Sequence, residues 1–250
     1  KDFKMFQGIF LLFMAFHLSL YAERITASYN VTYGVLGKVG VAKALLEIKG
    51  NTYTIDIELS TTGMAKFLTQ GRTEHHISKG HIRNNMLISD FYSVEKSHGK
   101  VQVKKFYTFD HKNKKIAKEF KKYKSKKEIR HETEILEFYT QDDLLTLYFN
   151  LDQKVKDKNK AYTYRFKTVG AEGQEGKVSL KIPKAKYLKK YKKILGEDKG
   201  FWYATVIIHQ KIFSSKEGQL MLAIDQDGIT NQAVLKDVIF FGDIRAVRIK

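Results

Sequence analysis

The chain has no cysteine, a single proline and a single tryptophan in 250 residues. Without cysteine there are no disulfides, no thiolate zinc sites, no cysteine nucleophile and no cysteine-linked lipid anchor. One proline leaves no room for proline-rich spacers. Acidic charge is also scarce: 27 Asp and Glu stand against 45 Lys and Arg, for a net charge of +18. That balance favours contact with polyanions and says nothing about fold. Signature motifs are missing as well. There is no Gly-x-Ser-x-Gly, no phosphate-binding G-x-x-x-x-G-K-[ST], and no G-x-G-x-x-G between a strand and a helix. What remains is a chain that is 43% hydrophobic and 13% aromatic, with 14 tyrosines and 17 phenylalanines. Such a chain can build a sizeable core, and its aromatics favour strands.

The first residues have the layout of a secretory signal. Lys1 and Lys4 precede an apolar run from Met5 to Leu20, and "LSLYA" ends on the small residue Ala22. The run is shorter than the ~20 apolar residues usual for a membrane-spanning helix. Cleavage after Ala22 is therefore expected, dividing the chain into a signal peptide (1–22) and one β-rich domain (23–250). A disulfide-free exported protein suits a bacterial periplasm.

Beyond that point, period-two alternation dominates. In "ASYNVTYGV" Tyr29, Val31, Tyr33 and Val35 share one face; in "NTYTIDIEL" Tyr53, Ile55, Ile57 and Leu59 do. Turn signals stand at Lys49-Gly50-Asn51, Ser78-Lys79-Gly80, His98-Gly99, His111–Asn113, the glycines 170, 173 and 176, and Asp227-Gly228. "YTQDDLLTLYFNLDQ" reads as a short helix capped by Thr140, with Asp142 and Asp143 in its first turn and Leu144, Leu145, Tyr148 and Phe149 as its apolar stripe. Residues 184–195, "KAKYLKKYKKIL", fit a short helix or a strand with a basic turn. The fold class expected is mainly β: a large antiparallel meander forming a curved sheet or half-open barrel, with one short helix packed on or in it.

The order of these elements resembles the DUF3108 family of exported bacterial proteins of unassigned function. The residues that carry the resemblance are "YNVTYGVLGKVG", "YTIDIELSTTG", "QDDLLTLYFNL" and the closing "GDIRAVRIK", which together span most of 27–250. The resemblance implies a β-rich fold and an envelope location. It brings no catalytic residues.

No constellation for chemistry stands out, so the chain is expected not to be an enzyme and to need no cofactor. His75 and His76 point to opposite faces of a strand, with Glu74 beside them and His81 six residues on; the histidines at 98, 111, 131 and 209 are scattered. No metal site is expected from this pattern. The Asp142–Asp143 pair is expected to serve the helix rather than acid–base work. A curved sheet offers an apolar concavity, so a binding module for a hydrophobic or lipid-like ligand is the leading functional expectation, lined by Tyr29, Tyr33, Phe91, Phe149 and Trp202. A structural envelope scaffold without a small ligand is the alternative. The basic stretch 112–131 puts Lys121, Lys122, Lys124, Lys126 and Lys127 forward as contacts to an anionic envelope component or membrane surface. Nucleic acid is not expected as a partner outside the cytoplasm, and oligomeric state is left open.

Overall fold

A computed structural model describes residues 23–171, 175–208, 219–238 and 242–249. The expected signal segment, 1–22, and His209 lie outside the described residues. Fourteen strands form one antiparallel sheet. They are β1 (Glu23–Tyr33), β2 (Lys38–Lys49), β3 (Thr52–Thr61), β4 (Thr73–Arg83), β5 (Met86–His98), β6 (Val101–Asp110), β7 (Lys115–Lys124), β8 (Lys127–Ile135), β9 (Thr163–Lys167), β10 (Lys177–Lys181), β11 (Trp202–Ile208), β12 (Gln219–Ile224), β13 (Thr230–Val238) and β14 (Gly242–Ile249). Helices are few and short: α1 (Gly63–Leu68), α2 (Leu144–Phe149), α3 (Leu151–Lys154) and α4 (Ala185–Leu195). The helix expected within 139–153 is α2 followed by α3, separated at Asn150; α1 was not expected, and α4 is the helical one of two readings of 184–195.

The spatial order is β8-β7-β6-β5-β4-β3-β2-β1-β14-β13-β12-β11-β10-β9. Two meanders thus join where β1 pairs with β14, Tyr29 opposite Arg248. The sheet is not closed: β8 and β9 stand at its two ends. Because every connection within β1–β8 is a reversal, its turns collect alternately at two rims. The connections β1–β2, β3–β4, β5–β6 and β7–β8 share one rim; β2–β3, β4–β5 and β6–β7 share the other.

One turn differs from expectation. Residues 73–83 run as a single strand, so Ser78-Lys79-Gly80 is no turn; the reversal is at Asn84-Asn85, both in the left-handed region (φ 53° and 58°). Asparagine tolerates that conformation, and a pair of such residues makes the tight hairpin that suits strand twist. Gly80 sits inside β4 for another reason. A Cβ there would lie 1.9 Å from the Ile88 carbonyl oxygen, because β5 bulges against it. Residue pairing jumps from Lys79–Phe91 to Gly80–Ser89, leaving Asp90 as the extra residue.

The core lies on the concave face and is divided by the α2–α3 segment. Leu145 of α2 joins a cluster of Tyr53, Ile55, Tyr92, Tyr107, Phe109 and Ile116. Leu147 and Leu151 turn to a second cluster that includes Val178, Leu180, Trp202, Leu222 and Ile224. Each fully buried side chain of this size contributes about 1.5–3 kcal/mol. A third cluster lies on the opposite face of β11–β13, where α4 brings Leu188, Tyr191, Ile194 and Leu195 onto Tyr203, Met221, Ala223 and Val234. The helix form of 185–195 follows from that spacing of 3, 3 and 1, which gathers the apolar residues into one stripe only at 3.6 residues per turn. Its end is held by the Arg245 guanidinium, which donates to the Ile194 carbonyl at 2.6 Å.

Candidate functional site

The aspartate pair was read as a helix start, and the structure deepens that assignment. The cap is Asp143 and not Thr140. Asp143 accepts from the backbone N–H groups of Leu145 (2.7 Å) and Thr146 (3.0 Å), and the Thr146 hydroxyl accepts from the Asp143 N–H, which completes a capping box. The second carboxylate oxygen accepts from the Ser78 hydroxyl at 2.5 Å, and Tyr53 Oη lies 3.1 Å from the same hydroxyl. Asp143, Ser78 and Tyr53 are all buried, and burial raises the Asp143 carboxyl above the usual carboxylate range and the Tyr53 phenol above its own. No histidine reaches this node in any bond found among the described residues, and it is sealed from solvent. Serine, carboxylate and phenol here bind α2 to β3 and β4.

Asp142 acts beside it. Its carboxylate accepts from Asn150 Nδ2 (3.1 Å) and pairs with Lys154 Nζ (2.9 Å). Asn150 in turn accepts from the Leu87 N–H and donates to the Leu87 carbonyl, both at 2.9 Å. The side-chain amide thereby completes β5 as a neighbouring strand would. These bonds seat the α2–α3 segment in the concavity that was expected to hold a ligand.

The five expected lining residues do not form one wall. Tyr92 stacks on Tyr107 in the core, whereas the preceding Phe91 stacks on Phe106 on the other face of the same strands. Trp202 is packed within the second cluster. Phe149 packs against the first and meets Tyr148 edge-on at 5.2 Å. Tyr29 is a structural anchor: its hydroxyl donates to the Thr230 carbonyl at 2.9 Å, while Tyr148 Oη donates to Thr230 Oγ1 and accepts from the Thr230 N–H. Tyr33 ends β1, its backbone N–H donating to Gly37 across the turn.

The expected lysines are also distributed. Lys121 and Lys122 project from opposite faces of β7, and Lys121 is held by Glu119 at 2.8 Å. Lys124, Lys126 and Lys127 lie at the exposed β7–β8 turn, whose Ser125 N–H donates to the Lys100 carbonyl of the β5–β6 turn at 2.8 Å. Only these last three share a surface.

That surface is one rim of the sheet, and it carries exposed apolar residues; Val35, expected to share the strand face of Tyr29, Val31 and Tyr33, lies instead in the turn after β1, which ends at Tyr33. Val35 is 89% exposed and Leu36 39% in the β1–β2 turn; Met64 is 70% and Phe67 80% exposed on α1, the β3–β4 connection. The two connections are neighbours: the Thr62 N–H donates to the Val39 carbonyl at 2.9 Å. Exposed lysines accompany them, with Lys38 and Lys66 beside the apolar tips and Lys100, Lys124, Lys126 and Lys127 farther along. Beneath the rim Glu74 holds Arg72 (2.6 Å), Lys96 (2.8 Å) and His76 (3.4 Å). Burial works to raise its carboxyl, but the hydrogen bonds from His76, Lys96 and Arg72 win and hold it well below the usual range. The carboxylate therefore stays charged and ties β4 to Lys96 of β5 and to Arg72, which follows α1.

The histidines separate as alternation requires. His75 pairs with Asp56 at 2.8 Å, and His76 lies 3.0 Å from Tyr92 Oη on the other face. His131 pairs with Glu119. His111, taken as scattered, is brought to His81 at the opposite rim by Asp90.

Comparison with known proteins adds the following. The family model described as "Protein of unknown function (DUF3108)" matches residues 28–246. A search of curated proteins gives no match. Among solved structures, a β-barrel-like protein of the domain of unknown function DUF1849 from Brucella abortus is similar, with a TM-score of 0.46 and 12% identity over 92% of this chain and 96% of that one.

Proposed function

The chain belongs to the DUF3108 family, and we propose that it is an exported, non-enzymatic envelope module that docks on an anionic lipid surface. The observation that carries this reading is the rim where Val35, Leu36, Met64 and Phe67 stand in solvent beside Lys38 and Lys66, with Lys100, Lys124, Lys126 and Lys127 exposed farther along the same rim. Large apolar side chains at the tips of two adjoining turns gain little from water. Each would gain about 1.5–3 kcal/mol if buried, and an acyl boundary can accept all of them at once. Lysines that flank such tips meet lipid phosphates, at about 1 kcal/mol each. The signal-like start, Lys1 to Ala22, supports delivery to the envelope. Seating of α2 and α3 in the concavity favours a lipid surface over an enclosed lipid as the ligand.

None of the helices in the described residues is long and apolar enough to cross a membrane.

The test is sedimentation with vesicles of phosphatidylcholine, with and without phosphatidylglycerol. Binding should require the anionic lipid and weaken as salt screens the lysines. Replacing Val35 and Phe67 together by serine should lower partitioning at least ~10-fold. Lys124, Lys126 and Lys127 changed together to glutamine should lower it by roughly two orders of magnitude. Lys121→Gln, on a residue already paired with Glu119, should change little. Equal binding by the serine variant and its parent would end the proposal.

A further inference from the structure

We propose that His81, Asp90 and His111 form a binding site for a divalent transition cation, zinc above all, at the rim opposite the apolar one. The three residues come from different elements: β4, the β5 bulge and the β6–β7 turn. His81 Nδ1 lies 3.0 Å from both Asp90 carboxylate oxygens, and His111 Nε2 lies 2.9 Å from Oδ1. The ligand atoms of all three fall within 4.8 Å of one another. Around a tetrahedral zinc with ligands at ~2.0–2.1 Å, neighbouring ligand atoms stand about 3.3 Å apart. An opening of a few tenths of an ångström between half-exposed side chains would admit the ion.

The backbone builds this arrangement. Asp90 is the extra residue of the β5 bulge, and the bulge has room because Gly80 has no side chain to meet the Ile88 carbonyl. The His111 ring is fixed on two sides. It stacks on Phe109 at 6.1 Å, and its Nδ1 lies 2.6 Å from Tyr139 Oη. A metal-bound imidazole needs a partner for its other nitrogen, and Tyr139 can accept that N–H once Nε2 holds the ion. The rings of His81 and His111 meet edge-on at 5.6 Å.

Two imidazoles and one carboxylate select the class of ion. Calcium and magnesium prefer cages of six or more oxygens, whereas zinc, copper(II) and nickel(II) favour imidazole nitrogen. Three protein ligands leave a fourth position for water, and the site faces solvent, which gives the ion a path in. On binding, each histidine ligates as neutral imidazole: His81 keeps its proton on Nε2 and His111 keeps its own on Nδ1.

Equilibrium dialysis of the untagged chain against zinc, with metal analysis, tests the site. One zinc per chain is expected. His81→Gln and His111→Gln should each weaken binding ~10-fold or more. His75→Gln, which alters the Asp56–Glu58–His75 group elsewhere on the sheet, should leave it unchanged. Failure to retain zinc would overturn the proposal, and so would equal retention by the His81→Gln/His111→Gln double variant. A readout on the unaltered protein guards against misfolded variants: zinc should protect His81 and His111 from carbethoxylation, followed by peptide mass. Identical modification of both with and without zinc would also overturn it.

Discussion

Strand β11 and strand β8 belong to one sheet and could hardly be less alike. In β11, Trp202 and Tyr203 are both buried although they point to opposite faces, and Ala204, Thr205 and Ile207 are buried with them. In β8, all nine residues are exposed. The backbone is extended in both, so the difference lies in what covers it. The α2–α3 segment packs on one face of β11–β13 and α4 on the other, and a strand buried twice reads as a nearly unbroken apolar run, "WYATVII". Nothing among the described residues covers β8. Its sequence "KEIRHETEI" alternates charge instead, and Lys118–Glu134, His131–Glu119 and Arg130–Glu132 pairs tie it to β7 and within itself. Across 115–135, eight lysines and arginines meet four glutamates. Three of those eight are paired, Lys118, Lys121 and Arg130, and charged side chains also guard the free edge against association with another strand. What the contrast teaches is that the run is not one functional unit: Lys118, Lys121 and Arg130 of its ribbon are held by glutamates, while its lysines at the two turns, 112–115 and 124–127, stand exposed at opposite rims.

The largest effect should come from the doubly covered side. Trp202→Ala removes the largest side chain of the second cluster and should cost about 3–5 kcal/mol. Urea unfolding followed by circular dichroism measures this, since the chain's sole tryptophan is the residue removed. A loss below 1 kcal/mol would mean that β11 is not packed on its concave face.

A middle-sized effect belongs to the node that binds α2, which helps cover β11, to β3 and β4. Asp143→Ala strips the cap from α2 and leaves the Leu145 and Thr146 N–H groups and the Ser78 hydroxyl without their acceptor. Loss of a cap and of buried partners together should cost ~3 kcal/mol. Asp143→Asn retains an acceptor for both N–H groups and should cost ~1 kcal/mol. The two also differ with pH. Burial raises the Asp143 carboxyl, so the folded protein holds that proton more tightly than the unfolded chain does. Its contribution is full below the ordinary carboxylate value of about 3.9 and is lost as pH rises through the higher folded value. Denaturation midpoints taken upward from pH 4 should show the parent losing this contribution, and the asparagine variant should lack that component.

Which parts of this were legible beforehand follows the same physics. The meander and the Gly50, Gly99 and Gly228 turns are local patterns, and alternation with turn residues announces them; the expected α2 stripe is split, with Leu145 and Phe149 on the first cluster and Leu144 and Tyr148 on the second. The Ser78-Lys79-Gly80 misreading came from taking Gly80 as a turn, when its missing Cβ serves a neighbouring strand's bulge. Helix α4 was ambiguous because five lysines among its eleven residues suit a basic turn as well as an exposed helix face. The two candidate sites were hidden for a deeper reason. His81, Asp90 and His111 meet only through pairing of β4, β5 and β6, and the apolar rim assembles from two connections, one of which takes Val35 out of the alternation that β1 shows. One signal was available for each: a glycine inside a strand beside a histidine, and "GVLG" and "GMAKFL", apolar runs where turns would ordinarily be polar.

The smallest effect should come from β8. Ile129 has no partner in the register, because Lys122 pairs with Arg130 and Tyr123 with Glu128, and it is half exposed at that bulge. Little apolar surface is removed from water there, so truncating it returns little to solvent. Threonine keeps the branched Cβ that suits extended backbone. Ile129→Thr should therefore shift stability by no more than ~0.5 kcal/mol. The same urea titration decides the point. A loss of 2 kcal/mol or more would show that Ile129 is covered in solution, by a second copy of the chain or by a segment outside the described residues. The concentration dependence of the midpoint separates these two, since association of copies makes it rise with protein concentration and cover from within the chain does not.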